Sequence, residues 1–375
     1  MRPVVSGSGT TFEKCSEFVD WHSNHLVEGL ESYVRDIPHM LRILQEENTK
    51  GPLPPNAIPV TLDVTALYTN IPVNDGLNVF EKFLNIRQDK SVPTSFLMTL
   101  LKYVLTCNIF LFNNNFYWQK IGTSMGSKVA PTYACLFMGA LEAMTLTNWK
   151  GIQPLLYKRY IDDIFFIWSG SKAELEDFIK HMNTAHPFLK FKANLDFLSK
   201  KVEFLDTIIS ITEQGFLKTD LYTKPGKKNS ILHYASSHPF HILMNIPYSL
   251  ALRIKRICSQ MEDFIRHLDI LKVDLLSRGY KKNYITKAFE KVIPMDRKSA
   301  LKKVDKKILN RTVLSLQYDP RLPNISNILK KFWKVMTKNP RLKEIFPSPP
   351  NDNMDSPKEF KGLFDQSQIT KRKPK

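Results

Sequence analysis

The stretch LLYKRYIDDIFFIW, residues 155–168, decides how this chain reads. Two apolar runs, Leu155 to Ile161 and Ile164 to Trp168, meet at an adjacent carboxylate pair, Asp162-Asp163. Runs this short, rich in aromatic and β-branched residues, read as strands. Burying two charges between them without a partner or a metal costs several kcal/mol. The spacing therefore predicts a hairpin whose turn holds both acids at the end of a sheet, facing a cleft. Taken alone, Asp-Asp reads better as a solvated turn, because Asp is common in turns.

Upstream, IPVTLDVTALYTNIP (58–72) contains a second short buried strand, Val60 to Val64, that also ends in an acid, Asp63. By itself Asp63 fits a cap on the following turn. Two strands that end in carboxylates can set them side by side and hold two divalent cations ~3.5–4 Å apart, as phosphoryl-transfer chemistry requires. Hard oxygen donors favour Mg²⁺ over Zn²⁺, with Mn²⁺ as a substitute. Between the two strands lies GTSMGSKVAP (122–131), a glycine-rich loop in front of a buried helix. Its small residues permit close approach, and Lys128 can meet a phosphate. The spacing is not that of a P-loop, and a plain turn before a helix fits as well.

The remaining chain supplies the frame. Thr11 to Asp36 reads as a helix, and Pro38 restarts a second short one. Residues 50–59 form a proline-rich connector. Helices follow over Asn74 to Ile86 and Thr94 to Thr106, then a hairpin of Asn108 to Phe112 with Phe116 to Lys120 around an Asn-Asn-Asn turn. Pro131 starts the buried helix, which runs to about Thr147. Ser171 followed by Glu174 forms a capping box for a helix ending near Met182. Phe188 to Leu195, Val202 to Ile211 and Leu217 to Tyr222 read as strands, and from Tyr248 onward the chain is mostly helical. Short mixed strands with helices on one face predict an α+β sheet domain.

The 375 residues carry 54 Lys+Arg against 36 Asp+Glu, a net charge of +18. Residues 251–343 hold 24 of those bases and 8 of the acids, so nearly all the excess sits there. Such density suits a phosphate backbone, with binding that weakens steeply in salt; a solvated lysine-rich helical surface is the alternative. At 43% hydrophobic the chain can bury a core. The cysteines, Cys15, Cys107, Cys135 and Cys258, form no CxxC pair and fit free thiols in a reducing compartment. His233, His238 and His241 match no zinc-site spacing. The start, MRPVVSGSGT, lacks an apolar signal region, and Val129 to Leu146, with Pro131 and Glu142, reads as a buried helix rather than a membrane span.

Acid-bearing strand, glycine loop with helix, then YIDD hairpin occur here in one order, and that order resembles the palm motifs of reverse transcriptases. The set LDVTALYTNIP, GTSMGSKVAPTYA, YIDDI, VEFLDTIIS (202–210) and LYTKP (221–225) is similar to the Penelope-like retroelements, relatives of telomerase. Leu232 to Pro239 and Arg278-Gly279-Tyr280 look like further blocks of that family, so the resemblance spans roughly residues 2–347. It implies that Asp63, Asp162 and Asp163 are the catalytic, metal-binding triad. It implies that Tyr68 is an aromatic gate against the ribose 2′-hydroxyl, that Gly126 contacts the templating pair, and that Arg2 grips the incoming triphosphate. Leu221 to Pro225 would lie near a primer grip, and Lys190, Lys192 or Lys201 would protonate pyrophosphate.

The fold so implied is a right-hand polymerase: residual fingers and connector (1–59), an antiparallel-sheet palm (60–247), a helical basic thumb (248–347) and a disordered tail (348–375). The implied partners are an RNA template, a DNA primer, their RNA–DNA hybrid and deoxynucleotide triphosphates, with no membrane and with the oligomeric state open. Two departures from the family stand out. The chain starts inside the fingers, without the family's upstream lysine block, and no GIY-YIG endonuclease motif follows Pro347. The expected protein is thus a truncated element. Its rival readings are a catalytically silent or domesticated nucleic-acid-binding protein, and a two-metal nuclease that leaves the glycine block and Tyr68 unexplained. The expected location is nuclear or cytoplasmic, not secreted.

Overall fold

The computed structural model describes residues 6–194, 200–224, 226, 231–302, 313–317, 319, 325–345 and 351–355. The chain divides into two units, 1–224 with 257–260, and 225–256 with 261–375. In the first, helices α1 (Glu13–Trp21) and α2 (Ile37–Thr49) flank a 3-10 helix (Asn24–Gly29) and precede β1 (Ile58–Val64). Then come α3 (Leu67–Asn70), α4 (Val73–Ile86), α5 (Thr94–Thr106), the hairpin β2 (Ile109–Phe112) and β3 (Asn115–Trp118), and α6 (Ala130–Asn148). Strands β4 (Leu156–Tyr160) and β5 (Asp163–Trp168) lead to α7 (Lys172–Thr184) and β6 (Phe191–Asn194). A three-stranded meander closes the unit: β7 (Lys201–Phe204), β8 (Thr207–Ile211) and β9 (Leu217–Leu221).

The central sheet has the order β4-β5-β1-β6, antiparallel throughout. Its alternation explains the long apolar run of β5, because both faces are covered. Leu62, Ile164, Phe166 and Trp168 pack on the helical side, with Phe80, Tyr133 and Phe178. Phe165 and Ile167 face Met40 and Leu44 of α2 and Val202, Phe204 and Ile209 of the meander. Ser171 forms the capping box of α7 with Glu174, as its spacing predicts.

The second unit contains α8 (Phe240–Ile257, its last residue counted with the first unit), α9 (Met261–Ser277), α10 (Lys282–Val292) and α11 (Arg297–Leu301). It continues with β10 (Val313–Gln317), α12 (Ile325–Met336), α13 (Pro340–Ile345) and β11 (Asn351–Asp355). Phe264, Leu268 and Leu275 of α9 and Ile285, Phe289 and Val292 of α10 are buried, while Lys281, Lys282, Lys287 and Lys291 are exposed.

Several expectations change. The helix expected over Thr11 to Asp36 breaks after Trp21, because Ser23 turns its hydroxyl onto the Val19 carbonyl and the chain enters the 3-10 turn. The single strand expected over Val202 to Ile211 is the β7–β8 hairpin, whose tight turn puts Leu205 at φ +56°. The connector ends sooner, since β1 starts at Ile58. The boundary expected at 247/248 falls inside α8, where Pro247 is tolerated within the helix. The basic region is not wholly helical: β10 pairs in parallel with β11, so 351–355 of the expected disordered tail is strand. Backbone pairing needs no apolar side chains, which is why composition missed it. The tail's residues 348–350 and 356–375 lie outside the described residues. Among the described residues no helix is long and apolar enough to cross a membrane.

Candidate active site

The register of the central sheet sets the site. Asp63 on β1 lies directly opposite Asp163 on β5, Asp163 faces Tyr160 on β4, and Asp63 faces Lys192 on β6. Residues opposite one another in antiparallel strands project from the same face, with Cβ atoms ~4.5–5.5 Å apart. Tyr160, Asp163, Asp63 and Lys192 therefore form one row across four strands. Asp162 occupies the turn between β4 and β5, and its carbonyl accepts from the Val64 N–H at 3.0 Å, which pins the turn to β1.

That turn is strained. Ile161 has φ +55°, a conformation that β-branched residues rarely adopt, at a cost of order ~1–3 kcal/mol. Arg159 holds it. Its Nη1 donates to the Ile161 carbonyl at 3.1 Å, its Nη2 to the Cys135 carbonyl at 3.2 Å, and its Nε to Glu142 Oε1 at 2.7 Å. Glu142 also accepts from the Ser32 hydroxyl at 2.7 Å and the Tyr157 hydroxyl at 3.0 Å. Burial works against the guanidinium charge, but the Glu142 carboxylate more than offsets it and keeps Arg159 protonated. Sequence reasoning missed both residues. The available signal was one acid in an otherwise apolar helix and one Arg in the strand that leads into the acid pair.

The Asp163 carboxyl is pushed up to about 6 by burial and by the neighbouring Asp162 and Asp63 carboxylates, while Lys224 pulls it down. Lys224 is thus close to the acids, a placement that the primer-grip reading of 221–225 did not anticipate. Of the three lysines considered as acids, Lys192 lies in the carboxylate row. Lys190 bonds the Asn183 carbonyl at 3.4 Å, and Lys201 opens β7.

Tyr68 sits in the short α3, entered through Ala66 at φ +52°. It is half-buried, and burial, with Cys135, Asp162 and Tyr160 nearby, raises its hydroxyl pKa. The glycine loop is fastened to it: Thr123 N–H donates to the Tyr68 carbonyl at 2.7 Å. Gly122 has φ +73°, and a Cβ there would lie 2.5 Å from the Tyr68 carbonyl oxygen and from Thr69 Cα. Only glycine fits such an approach. Gly126 forms a parallel bridge with Ser6, and a Cβ on Gly7 would lie 2.6 Å from the Gly126 carbonyl oxygen, so the N-terminal segment lies on that part of the loop. Lys128 is exposed and close enough to Glu17 to lower its pKa, behind the lysine at position 14 in effect. Ser16 Oγ accepts from Val129 N–H at 3.0 Å, which fixes the start of α6. Arg2 lies outside the described residues.

The structure thus brings Asp63, Asp162, Asp163 and Tyr68 together and ties the loop of Gly126 and Lys128 to them through Thr123. The donor set at the acids is all oxygen, and burial, with repulsion from Asp162 and Asp63, pushes the Asp163 carboxyl up to about 6. Both features fit divalent cations, which bind hard oxygen donors and relieve that repulsion.

A family model described as "Reverse transcriptase (RNA-dependent DNA polymerase)" matches residues 23–239, and one described as "Animal helix-turn-helix domain" matches 230–290. Among solved structures, telomerase from Candida albicans with a fragment of telomeric RNA is similar at TM-score 0.53 and 11% identity, over 77% of this chain and 53% of that one. Apo telomerase from Candida tropicalis gives TM-score 0.48 and 13% identity, over 76% and 53%. A Sicinivirus RNA-dependent RNA polymerase gives 0.43 and 12%, over 70% and 57%. The chain spans about half the length of the telomerases it resembles. No curated protein matches it. The mixed helices and antiparallel sheet are those of a right-hand polymerase.

Proposed function

The chain belongs to the reverse transcriptase (RNA-dependent DNA polymerase) family, and from that premise we propose that it extends a DNA primer on an RNA template, as the polymerase of a Penelope-like element. The observation that carries this reading is the register that sets Asp63 opposite Asp163 beside the Asp162 turn.

Asp63, Asp162 and Asp163 would hold two Mg²⁺ ions, with Mn²⁺ as a substitute. When bound, such a pair supplies activation of the primer 3′-hydroxyl and neutralisation of the leaving pyrophosphate. The chain's own residues do the rest. Arg159 and Glu142 keep the Asp162 turn in its strained geometry. Tyr68, beside Asp162, excludes a ribose 2′-hydroxyl by its bulk and so selects deoxynucleotide triphosphates. Lys192 and Lys224 place positive charge at the carboxylate row, where a triphosphate would lie. Lys128 is available to a phosphate at the rim of the glycine loop. The basic second unit would bind the RNA–DNA hybrid through backbone and shape rather than base sequence. Arg2 keeps its proposed role toward the triphosphate.

The test is primer extension on an RNA template with a DNA primer, in Mg²⁺ and in Mn²⁺, beside Asp162→Asn. Extension by the parent and none by the variant is expected. No extension, with salt-sensitive hybrid binding retained, would leave a nucleic-acid-binding protein without the chemistry.

A further inference from the structure

The β2–β3 hairpin carries apolar surface left exposed among the described residues. Ile109 pairs with Trp118 and Leu111 with Phe116, so these four side chains share one face. Phe116 is 79% exposed and Trp118 58%. On the opposite face Phe110 stacks on Tyr117, with ring centroids 5.6 Å apart. A contiguous exposed apolar patch of this kind marks an interaction site.

Charge and ring chemistry indicate what occupies it. Residues 90–141, which include the hairpin, contain Lys90, Lys102, Lys120 and Lys128 and no Asp or Glu. The Lys120 ammonium lies 5.6 Å from the centre of the Trp118 ring. Phe116 and Trp118 stand two residues apart on one strand face, a separation of about 6.8 Å that leaves room for a planar base between the rings. Rings interleaved with lysines on a stretch of chain without acids suit unpaired nucleic acid, whose bases stack while its phosphates meet lysine, although Glu13 and Glu17 of α1 lie near Lys128 at its edge. A second copy of this chain would set like charges against each other.

Location agrees with that occupant. Asn108 and Gln119 at the base of the hairpin bond each other at 2.6 Å, and Gln119 donates to the Ile121 carbonyl at 2.9 Å, at the start of the glycine loop. Ile109 lines one pocket with Gly126 and Lys128. The hairpin is therefore continuous with the loop fastened to Tyr68.

We propose that this hairpin is a stacking platform for single-stranded nucleic acid, the uncopied template strand on its way to the carboxylates. The identity of the strand as template rests on the polymerase reading above. The test is fluorescence anisotropy on the full chain, without nucleotide or metal, comparing a blunt RNA–DNA duplex with the same duplex bearing an unpaired 5′ template extension. The extension is expected to tighten binding by the parent. Phe116→Ala is expected to reduce that gain by about fivefold or more, with blunt-duplex affinity unchanged. Phe116→Leu keeps apolar area without a ring and is expected to lose as much, while Phe116→Trp retains the gain. Equal affinity of the parent for both duplexes, or full retention by Phe116→Leu, would overturn the proposal. So would sedimentation that shows a dimer lost in Phe116→Ala while the extension effect persists, which would assign the face to a second copy. Absence of Asp162-dependent synthesis with the extension effect intact would defeat the polymerase reading alone.

Discussion

Arg159 and Glu142 form an ion pair, Nε to Oε1 at 2.7 Å, whose side chains are 0% and 3% exposed. The same guanidinium reaches the carbonyl of Ile161, one residue before Asp162. A pair buried this deeply is costly to break from one side, because the remaining charge has no partner. Arg159→Met is expected to destabilise the fold by about 3–5 kcal/mol in denaturant titration. Arg159→Lys keeps the charge but cannot span Glu142, Cys135 and Ile161 at once. It is expected to fold and bind primer–template normally while kcat falls about tenfold or more, since misplacement of a reacting group by an ångström is that costly. Unchanged kcat in Arg159→Lys would confine the pair to a stability role.

Asp163 gives a pH dependence of fixed sign. Its carboxyl is raised to about 6 in the folded chain, so the folded state holds the proton more tightly than the unfolded state. Stability from this group is full below its unfolded pKa and is lost as pH climbs through about 6. Discounted for its partial exposure, the loss is of order ~1–2 kcal/mol. In chelator, the parent is expected to gain thermal stability from pH 7.5 to pH 5 relative to Asp163→Asn. At pH 7.5, Mg²⁺ is expected to raise the Tm of the parent more than that of the variant. Parallel pH profiles would show that burial and the neighbouring carboxylates do not raise this group.

Gly122→Ala tests the fastening of the loop. It imposes both a left-handed φ and a Cβ within 2.5 Å of backbone atoms of Tyr68 and Thr69. A loss of about 1–3 kcal/mol is expected on thermal unfolding, with kcat falling further because Tyr68 is displaced. A variant of parental Tm and rate would show that the approach is not required.

Tyr68→Ala is expected to lower the preference for deoxynucleotides over ribonucleotides in kcat/KM by about tenfold or more, a discrimination set by pocket shape. Tyr68→Phe keeps the ring and should keep the preference. Single-nucleotide incorporation with each substrate measures both, and an unchanged ratio in Tyr68→Ala would move the gate elsewhere.

How far the residues revealed this arrangement follows their physics. Asp162-Asp163 between two apolar runs was legible, because strands end where consecutive charges cannot be buried. Asp63 was legible as the one acid in a short apolar strand, which runs one residue past it to Val64. The Ser171 cap was a local signal read in four residues. The hidden parts depend on long-range geometry. Glu142 and Arg159 are 17 positions apart and are joined only when α6 packs on β4. Leu205 at positive φ hid the β7–β8 turn inside the mixed stretch VEFLDTIIS, since a leucine gives no turn signal. Lys224 became a neighbour of Asp163 only through the path of the chain after β9.

β1 lies between β5 and β6, and both partners are made long after it: Ile58 pairs with Trp168, and Thr61 with Asn194. At a synthesis rate of about 5–20 residues per second, the chain between Val64 and Trp168 takes roughly 5–21 s to emerge. For that interval Val60, Leu62 and Val64 belong to a strand with both edges open, the form most prone to pairing with a wrong neighbour. Asp63 therefore meets Asp163 only once β5 has been made, and β6 and the β7–β9 meander are added after that. A nascent chain arrested before β5 carries Asp63 on a strand that has no sheet to join.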